Sequence, residues 1–311
     1  MVNKLIENVN KVIVGKENVT KLLLTAMIAG GHVLLEDLPG SGKTKLAKSL
    51  AASLNMDFAR IQFTPDLLPS DVTGLNVYNK NKGEFELKKG PVFTNILLAD
   101  EINRATPRTQ AGLLECMEEH QVTIDGVTYN LSEPFFVMAT QNPIETTGTF
   151  PLPEAQLDRF LFKISMGYPS YEEELDIIDR YMVEDPLTSL KGVASKEDIF
   201  ELRQKADAVF VSENIRKYVL DIVTASRKDP KIVAGASTRA TLALVKASKA
   251  YALINGRDFV IPDDVEYLAP YVLAHRLTLS FAKGNTSEAL KAVKTILDTT
   301  NKPTEDFSGK R

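Results

Sequence analysis

A short apolar run, Val33-Leu34-Leu35, leaves through Glu36-Asp37-Leu38 into Pro39-Gly40-Ser41-Gly42-Lys43-Thr44. Few stretches restrict a fold so tightly. The glycines at 40 and 42 let successive backbone N–H groups turn inward, and a lysine and a threonine stand at the mouth of the helix that 43–54 can form. This is the pattern of a loop that cradles a triphosphate. Pro39, Gly40, Ser41, Gly42, Lys43 and Thr44 would line it, Lys43 would reach the β and γ phosphates, and Thr44 would ligate Mg²⁺. The usual form of this loop is broken at one position, where Asp37 stands in place of the first glycine. Read in isolation, the segment also fits a plain strand-turn-helix.

Hydrolysis of a triphosphate needs a carboxylate near the metal and a group that orients the attacking water. Ile96-Leu97-Leu98-Ala99-Asp100-Glu101 supplies both at the end of a second apolar run. Asp100 would hold Mg²⁺ through water, and Glu101 would polarise the nucleophilic water. A lone Asp-Glu pair in this place fits equally well as a cap for the next turn, so the argument rests on its pairing with the upstream loop.

The run 97–105, Leu-Leu-Ala-Asp-Glu-Ile-Asn-Arg-Ala, continues into Pro107-Arg108-Thr109-Gln110 and resembles the MoxR family of AAA+ ATPases. Further blocks agree in order: Ile13-Val14-Gly15-Lys16, Ala139-Thr140-Gln141-Asn142-Pro143, Glu154-Ala155-Gln156-Leu157-Asp158-Arg159-Phe160 and Gly235-Ala236-Ser237-Thr238-Arg239-Ala240, the last of these followed by Gly256-Arg257-Asp258. The match runs from about Val12 to Leu273. The resemblance implies ATP and Mg²⁺ as ligands, Asn142 as a polar sensor of the γ-phosphate or water, and Arg159 as an arginine finger reaching a neighbouring subunit. It implies Arg239 as a second sensor, with cis or trans action left open, and Val14 and Gly15 against the adenine. Relatives with an acid at the position of Asp37 are common, its side chain being free to point away from the loop. A finger given in trans implies a homo-oligomer, in this family a hexameric ring, acting on a client or a partner with a von Willebrand factor A domain. A metal-chelatase motor subunit, a nucleic-acid motor or clamp loader, and a nucleotide-sensing scaffold are the competing classes.

The composition, 44% hydrophobic and 25% charged over 311 residues, is that of a globular chain long enough for two domains. A net charge of −4 disfavours a general polyanion binder, because nonspecific affinity for nucleic acid comes from clustered Lys and Arg. One cysteine, Cys116, excludes an intramolecular disulfide, and the three histidines lack metal-ligand spacing, so both residue types read as structural. Met1 to Val14 lacks the apolar core of a secretory signal, and the longest apolar stretch, 22–35, is too short and interrupted to span a bilayer. These features lead us to expect a cytoplasmic chain.

Apolar runs at 32–36, 58–63, 95–100, 135–140 and 161–165 predict five parallel strands covered on both faces. In such sheets ligands sit beyond the carboxyl ends of the strands, where the loop at Pro39 to Thr44, Asp100, Glu101 and Asn142 all fall. Hairpins are expected at 74–79 with 84–87, and at 121–124 with 127–130 around Asp125-Gly126. The resemblance places two such inserted hairpins toward the pore or substrate. The expectation is therefore an α/β P-loop AAA+ core over 1–168 with a five-stranded parallel sheet and two inserted hairpins, an all-α lid over 169–303, and a disordered tail over 304–311.

Overall fold

The computed structural model describes residues 1–36, 40–143, 148–280 and 286–304. Asp37, Pro39 and the tail beyond 304 lie outside the described residues. Contacts divide the chain into two compact units, one made of Met1–Lys21, His32–Leu152 and Ile164–Asp198, the other of Leu22–Gly31, Pro153–Lys163 and Ile199 onward.

The chain opens with α1 (Val2–Asn10) and α2 (Glu17–Ile28), which lead to β1 (Val33–Glu36) and α3 (Lys43–Ser53). Next come β2 (Phe58–Gln62), α4 (Pro69–Thr73), the hairpin β3 (Gly74–Asn79) with β4 (Glu84–Lys89), β5 (Ile96–Asp100) and α5 (Pro107–Glu119). The hairpin β6 (Gln121–Ile124) with β7 (Val127–Asn130) precedes β8 (Phe136–Gln141), α6 (Glu154–Leu157), β9 (Phe162–Ile164) and α7 (Tyr171–Val183). The five-stranded sheet has the order β2-β5-β8-β1-β9. The β1–β8, β8–β5 and β5–β2 pairs are parallel.

Burial explains the order. Strands β1, β5 and β8 are apolar and buried nearly throughout, as inner strands of a doubly covered sheet must be. Strand β2 lies at the edge, and there an exposed arginine, Arg60, interrupts the apolar run. The expected hairpin at 121–130 is found residue for residue. Both turn residues, Asp125 (φ 49°) and Gly126 (φ 81°), have positive φ, the conformation that lets a two-residue loop follow the twist of its strands. In the other hairpin β4 runs two residues beyond the expected Leu87, because Lys88 and Lys89 pair through their backbones with Leu75 and Gly74.

Two of the histidines prove structural. His32 Nε2 donates to the Met117 carbonyl at 2.9 Å while its Nδ1 accepts the Val137 N–H at 3.1 Å, which ties α5 to the sheet. His120 ends α5 in the left-handed conformation. Cys116 is buried on the same helix, and burial pushes its thiol up to about 12, so it stays protonated and inert.

The second unit is helical: α8 (Lys196–Ala208), α9 (Glu213–Lys228), α10 (Thr238–Ile254), α11 (Pro262–Leu273) and α12 (Thr286–Thr299). The all-α expectation needs one correction, since β10 (Ile232–Ala234) and β11 (Thr278–Leu279) pair antiparallel. Segments of two and three residues carry no readable period, so only their pairing reveals them. The stripe Ile215, Val219, Ile222 and Val223 is the buried face of α9. Asp264, in the first turn of α11, accepts the Ile261 N–H and two guanidinium bonds from Arg257, which fixes the start of that helix.

His275 is buried in this unit and donates from Nε2 to the Phe160 carbonyl at 3.1 Å. Burial, together with the positive charges of Arg276 and Lys163, holds its pKa well below the usual histidine value. The unfolded chain therefore takes up a proton that the folded one refuses, and the stability this gives is complete above about pH 6.5 and is lost as pH falls below it. Chemical unfolding followed from pH 7.5 to 5 should show decreasing stability, with a shallower decrease in His275→Gln.

Candidate active site

The strand register brings the candidate residues of the first unit level with one another. Gln62 pairs with Asp100, Ala99 with Ala139, and Leu35 with Thr140, so β2, β5, β8 and β1 all end at one edge of the sheet. Beyond that edge lies a cleft of about 570 Å³. Gly40, Ser41, Gly42, Lys43 and Thr44 line it from one side, and Asp100, Glu101 and Asn142 from the strand ends. Val14 lines it as well, with Ile13 and Lys16, whose Nζ donates to the Tyr168 carbonyl at 3.1 Å. Gly15 has φ +68°, a left-handed turn that strains any residue with a Cβ, and a Cβ there would also push the Glu173 carboxylate aside.

The loop enters α3 through Gly42, which is its N-cap in the left-handed conformation (φ 84°). The first N–H groups of α3 therefore face the cleft without intrahelical partners, which favours an anion there. Lys43 and Thr44 occupy the first two helical positions. The buried hydroxyl of Ser41 has no hydrogen-bond partner among the described residues, as expected of a loop whose polar groups serve a ligand.

Opposite the loop, one side chain organises both acids. The buried Thr140 hydroxyl donates to Asp100 Oδ1 at 2.7 Å and accepts the Glu101 N–H at 2.8 Å. Glu101 sits at φ 56°, ψ 50°, in the left-handed region and outside the strand conformation. Its Oε2 accepts from Gln62 Nε2 at 2.7 Å and from Arg104 Nη1 at 3.3 Å. Arg60 donates to Asp100 Oδ2 from Nε at 3.2 Å and from Nη2 at 2.7 Å, and its Nη2 also reaches Gln62 Oε1 at 2.8 Å. Asn142 follows the last residue of β8 directly. A threonine hydroxyl, a carboxylate and an anion-seeking helix terminus together suit Mg²⁺ bound with a polyphosphate.

Sequence reasoning missed Arg60, Gln62 and Thr140. The first two alternate along β2 and so share one face of the strand, a period-2 signal hidden within a run read as apolar. Arg104, in the run that carries the family resemblance, bonds the catalytic candidate Glu101.

Arg159 and Arg239 belong to the second unit. Arg276, with only 3% of its side chain exposed, donates to Asp158 Oδ1 at 2.6 Å and to the carbonyls of Asp158, Phe160 and Leu161. These bonds fix the backbone on both sides of Arg159. The other Asp158 oxygen accepts from Ser237 Oγ at 3.3 Å, and Ser237 caps α10 by accepting the Ala240 N–H. Arg239 stands in the first turn of that helix. One network thus mounts both arginines.

Residues 32–162 match the ATPase family associated with various cellular activities (AAA), and residues 224–294 match the AAA lid domain. The chain is 45% identical to Chaperone MoxR1 of Mycobacterium tuberculosis, over 88% of this chain and 74% of that protein. It is 53% identical to YeaC of Bacillus subtilis, over 90% and 87% of the two chains, and 31% identical to the MoxR protein of Methylorubrum extorquens, over 86% and 85%. A crystal structure of a candidate ATPase from Cytophaga hutchinsonii, 42% identical, superposes with a TM-score of 0.90 over 97% of this chain and 95% of that one.

The Thr140 bridge generates a test of stability. Thr140→Val keeps the shape but orphans the Glu101 N–H and one Asp100 bond, and it should cost about 1–3 kcal/mol in urea unfolding. A loss below about 0.5 kcal/mol would mean that water replaces the hydroxyl.

Proposed function

Because the chain belongs to the MoxR family of AAA+ ATPases, we propose that it binds Mg·ATP in the cleft of its first unit and hydrolyses it in a ring, to remodel or assemble a partner protein. One observation carries this reading: a carboxylate pair held by Thr140 at a strand end faces a glycine loop and helix terminus bearing Lys43 and Thr44.

In this reading the backbone N–H groups of 40–44 and the Lys43 ammonium hold the phosphates, with Val14 and Gly15 against the base. Thr44 and Asp100 hold Mg²⁺, which neutralises phosphate charge when bound. Glu101 accepts a proton from the attacking water, and Asn142 orients that water or the γ-phosphate. Arg159 reaches the cleft of an adjacent subunit and stabilises the charge that develops on the transferred group. Such fingers contribute about 10³ to 10⁵ in rate. The rigid mounting of its backbone by Arg276 suits that task, since a finger acts by position. Arg239 reports nucleotide state to the helical part, for which we retain 169–303 as the lid. A homohexamer, a client or a von Willebrand factor A domain partner, and a cytoplasmic setting complete the proposal. Among the described residues no helix is long and apolar enough to cross a membrane.

Three substitutions separate binding from chemistry. Lys43→Ala should lose nucleotide affinity, whereas Glu101→Gln should keep it and lose turnover by about 10²-fold or more. Arg159→Ala should also bind nucleotide and fail to turn over. Mixing Arg159→Ala with Glu101→Gln subunits should restore part of the activity, because some clefts then pair an intact Glu101 with an intact Arg159. Absence of recovery in mixed rings would remove the trans assignment, and normal turnover in Glu101→Gln would remove Glu101 as the base. The Glu101→Gln protein with ATP is also the form to use for capturing the client.

A further inference from the structure

Helix α7 buries none of its residues. Tyr171, Leu175, Ile178 and Met182 recur at i, i+4, i+7 and i+11 and form one outward row, from 45% exposed at Leu175 to 80% at Met182. An apolar row of this length on a helix marks a surface that another element covers. The charge around it has one sign. Helix α7 carries five acids, of which Glu172, Glu174 and Asp179 are exposed, and its one base, Arg180, is turned onto Asp176 and the carbonyls of Asn10 and Lys11. Like charges exclude a two-fold contact of this face with itself, and they repel an anionic lipid surface. The cover must bring apolar side chains together with positive charge.

The chain itself carries such a face. Among the described helices of the second unit, α10 alone has basic residues and no acid, and its Leu242 and Lys246, one turn apart, are both exposed. Helix α10 also goes wherever Arg159 goes, because Asp158, next to Arg159 in the chain, accepts a hydrogen bond from Ser237, the N-cap of α10. The inner face of α7 lines the cleft through Ile177 and Tyr181, with Lys45 of α3 standing 3.9 Å over the Tyr181 ring. A neighbour whose Arg159 enters the cleft therefore brings α10 to the side that α7 walls. We propose that the outward row of α7 docks on the face of α10 that carries Leu242 and Lys246 in a second copy of the chain. The proposal rests on the reading of the protein as a ring in which Arg159 acts in trans. Leu242 packs among the apolar row, and Lys246 meets its acidic flank. Because the two faces are unlike, the contact is head-to-tail, which leaves every copy with one face of each kind and lets successive copies close a ring.

The test joins sedimentation velocity, over a concentration series with Mg·ADP, to cross-linking with a short bismaleimide. Ile178→Lys and Lys246→Glu should each raise the concentration needed for assembly about tenfold or more. Both positions are exposed, so urea unfolding should match wild type. For cross-linking, Ile178→Cys subunits are mixed with Leu242→Cys subunits, while the native Cys116 is buried and stays unreactive. A covalent dimer should form in the mixture and in neither variant alone. A dimer from Ile178→Cys alone would show α7 facing its own copy and overturns the proposal. So does wild-type assembly in Ile178→Lys or Lys246→Glu, which would leave the row to a different protein, and so does an assembled mixture that yields no cross-link. Those results spare the ring, whereas a wild-type protein that stays monomeric removes the ring and the proposal together.

Discussion

The Thr140 hydroxyl joins two strands at the point where the chemistry would take place, and much of the site depends on it. By donating to Asp100 and accepting from the Glu101 backbone, it holds both acids where the chain leaves the strand conformation at the end of β5. The bond exists only because β5 and β8 are neighbours in a parallel register that sets Ala99 beside Ala139. A slip of one residue would turn Thr140 to the opposite face of the sheet and leave the Glu101 N–H without its partner. The buried apolar residues of β5 and β8 resist that slip, since each would exchange its packing for the other face.

Charge at this edge is arranged by the same geometry. Strand β2 lies outermost, so it can carry Arg60 and Gln62 toward the acids without burying an unpaired cation. Arg104, from the turn after β5, closes on Glu101 from another side. The second unit uses a different solution for its arginine. Arg276 is buried, and its burial is offset by Asp158 together with a set of backbone carbonyls, so that its whole donor fork is used. Desolvation lowers its pKa and the Asp158 bond opposes this, leaving a group whose function is to fix backbone. Rigid backbone beside a half-buried arginine is what positional electrostatics requires.

The contrast between legible and hidden features follows from range. The hairpin at Asp125-Gly126 could be read to the residue because positive φ at two adjacent positions is a local property of Asp and Gly. The five strands could be read because full burial demands continuous apolar runs. Strand β2 was read only as a run, and its two polar residues went unassigned, because the acids they hold lie about forty positions away, at the end of β5 and just beyond it. The pairing of Ile232–Ala234 with Thr278–Leu279 was hidden for the same reason.

By itself the sequence determined the glycine loop, the acids that close β5, the sheet and the family, because each is written in residue types at fixed short spacing. The tertiary structure alone decided which partner each charge takes. Arg60 holds Asp100, Gln62 holds Glu101, and Arg276 holds Asp158. Ion pairs and hydrogen bonds depend on distances of about 3 Å between groups far apart in the chain, and only the packed sheet and helices fix such distances.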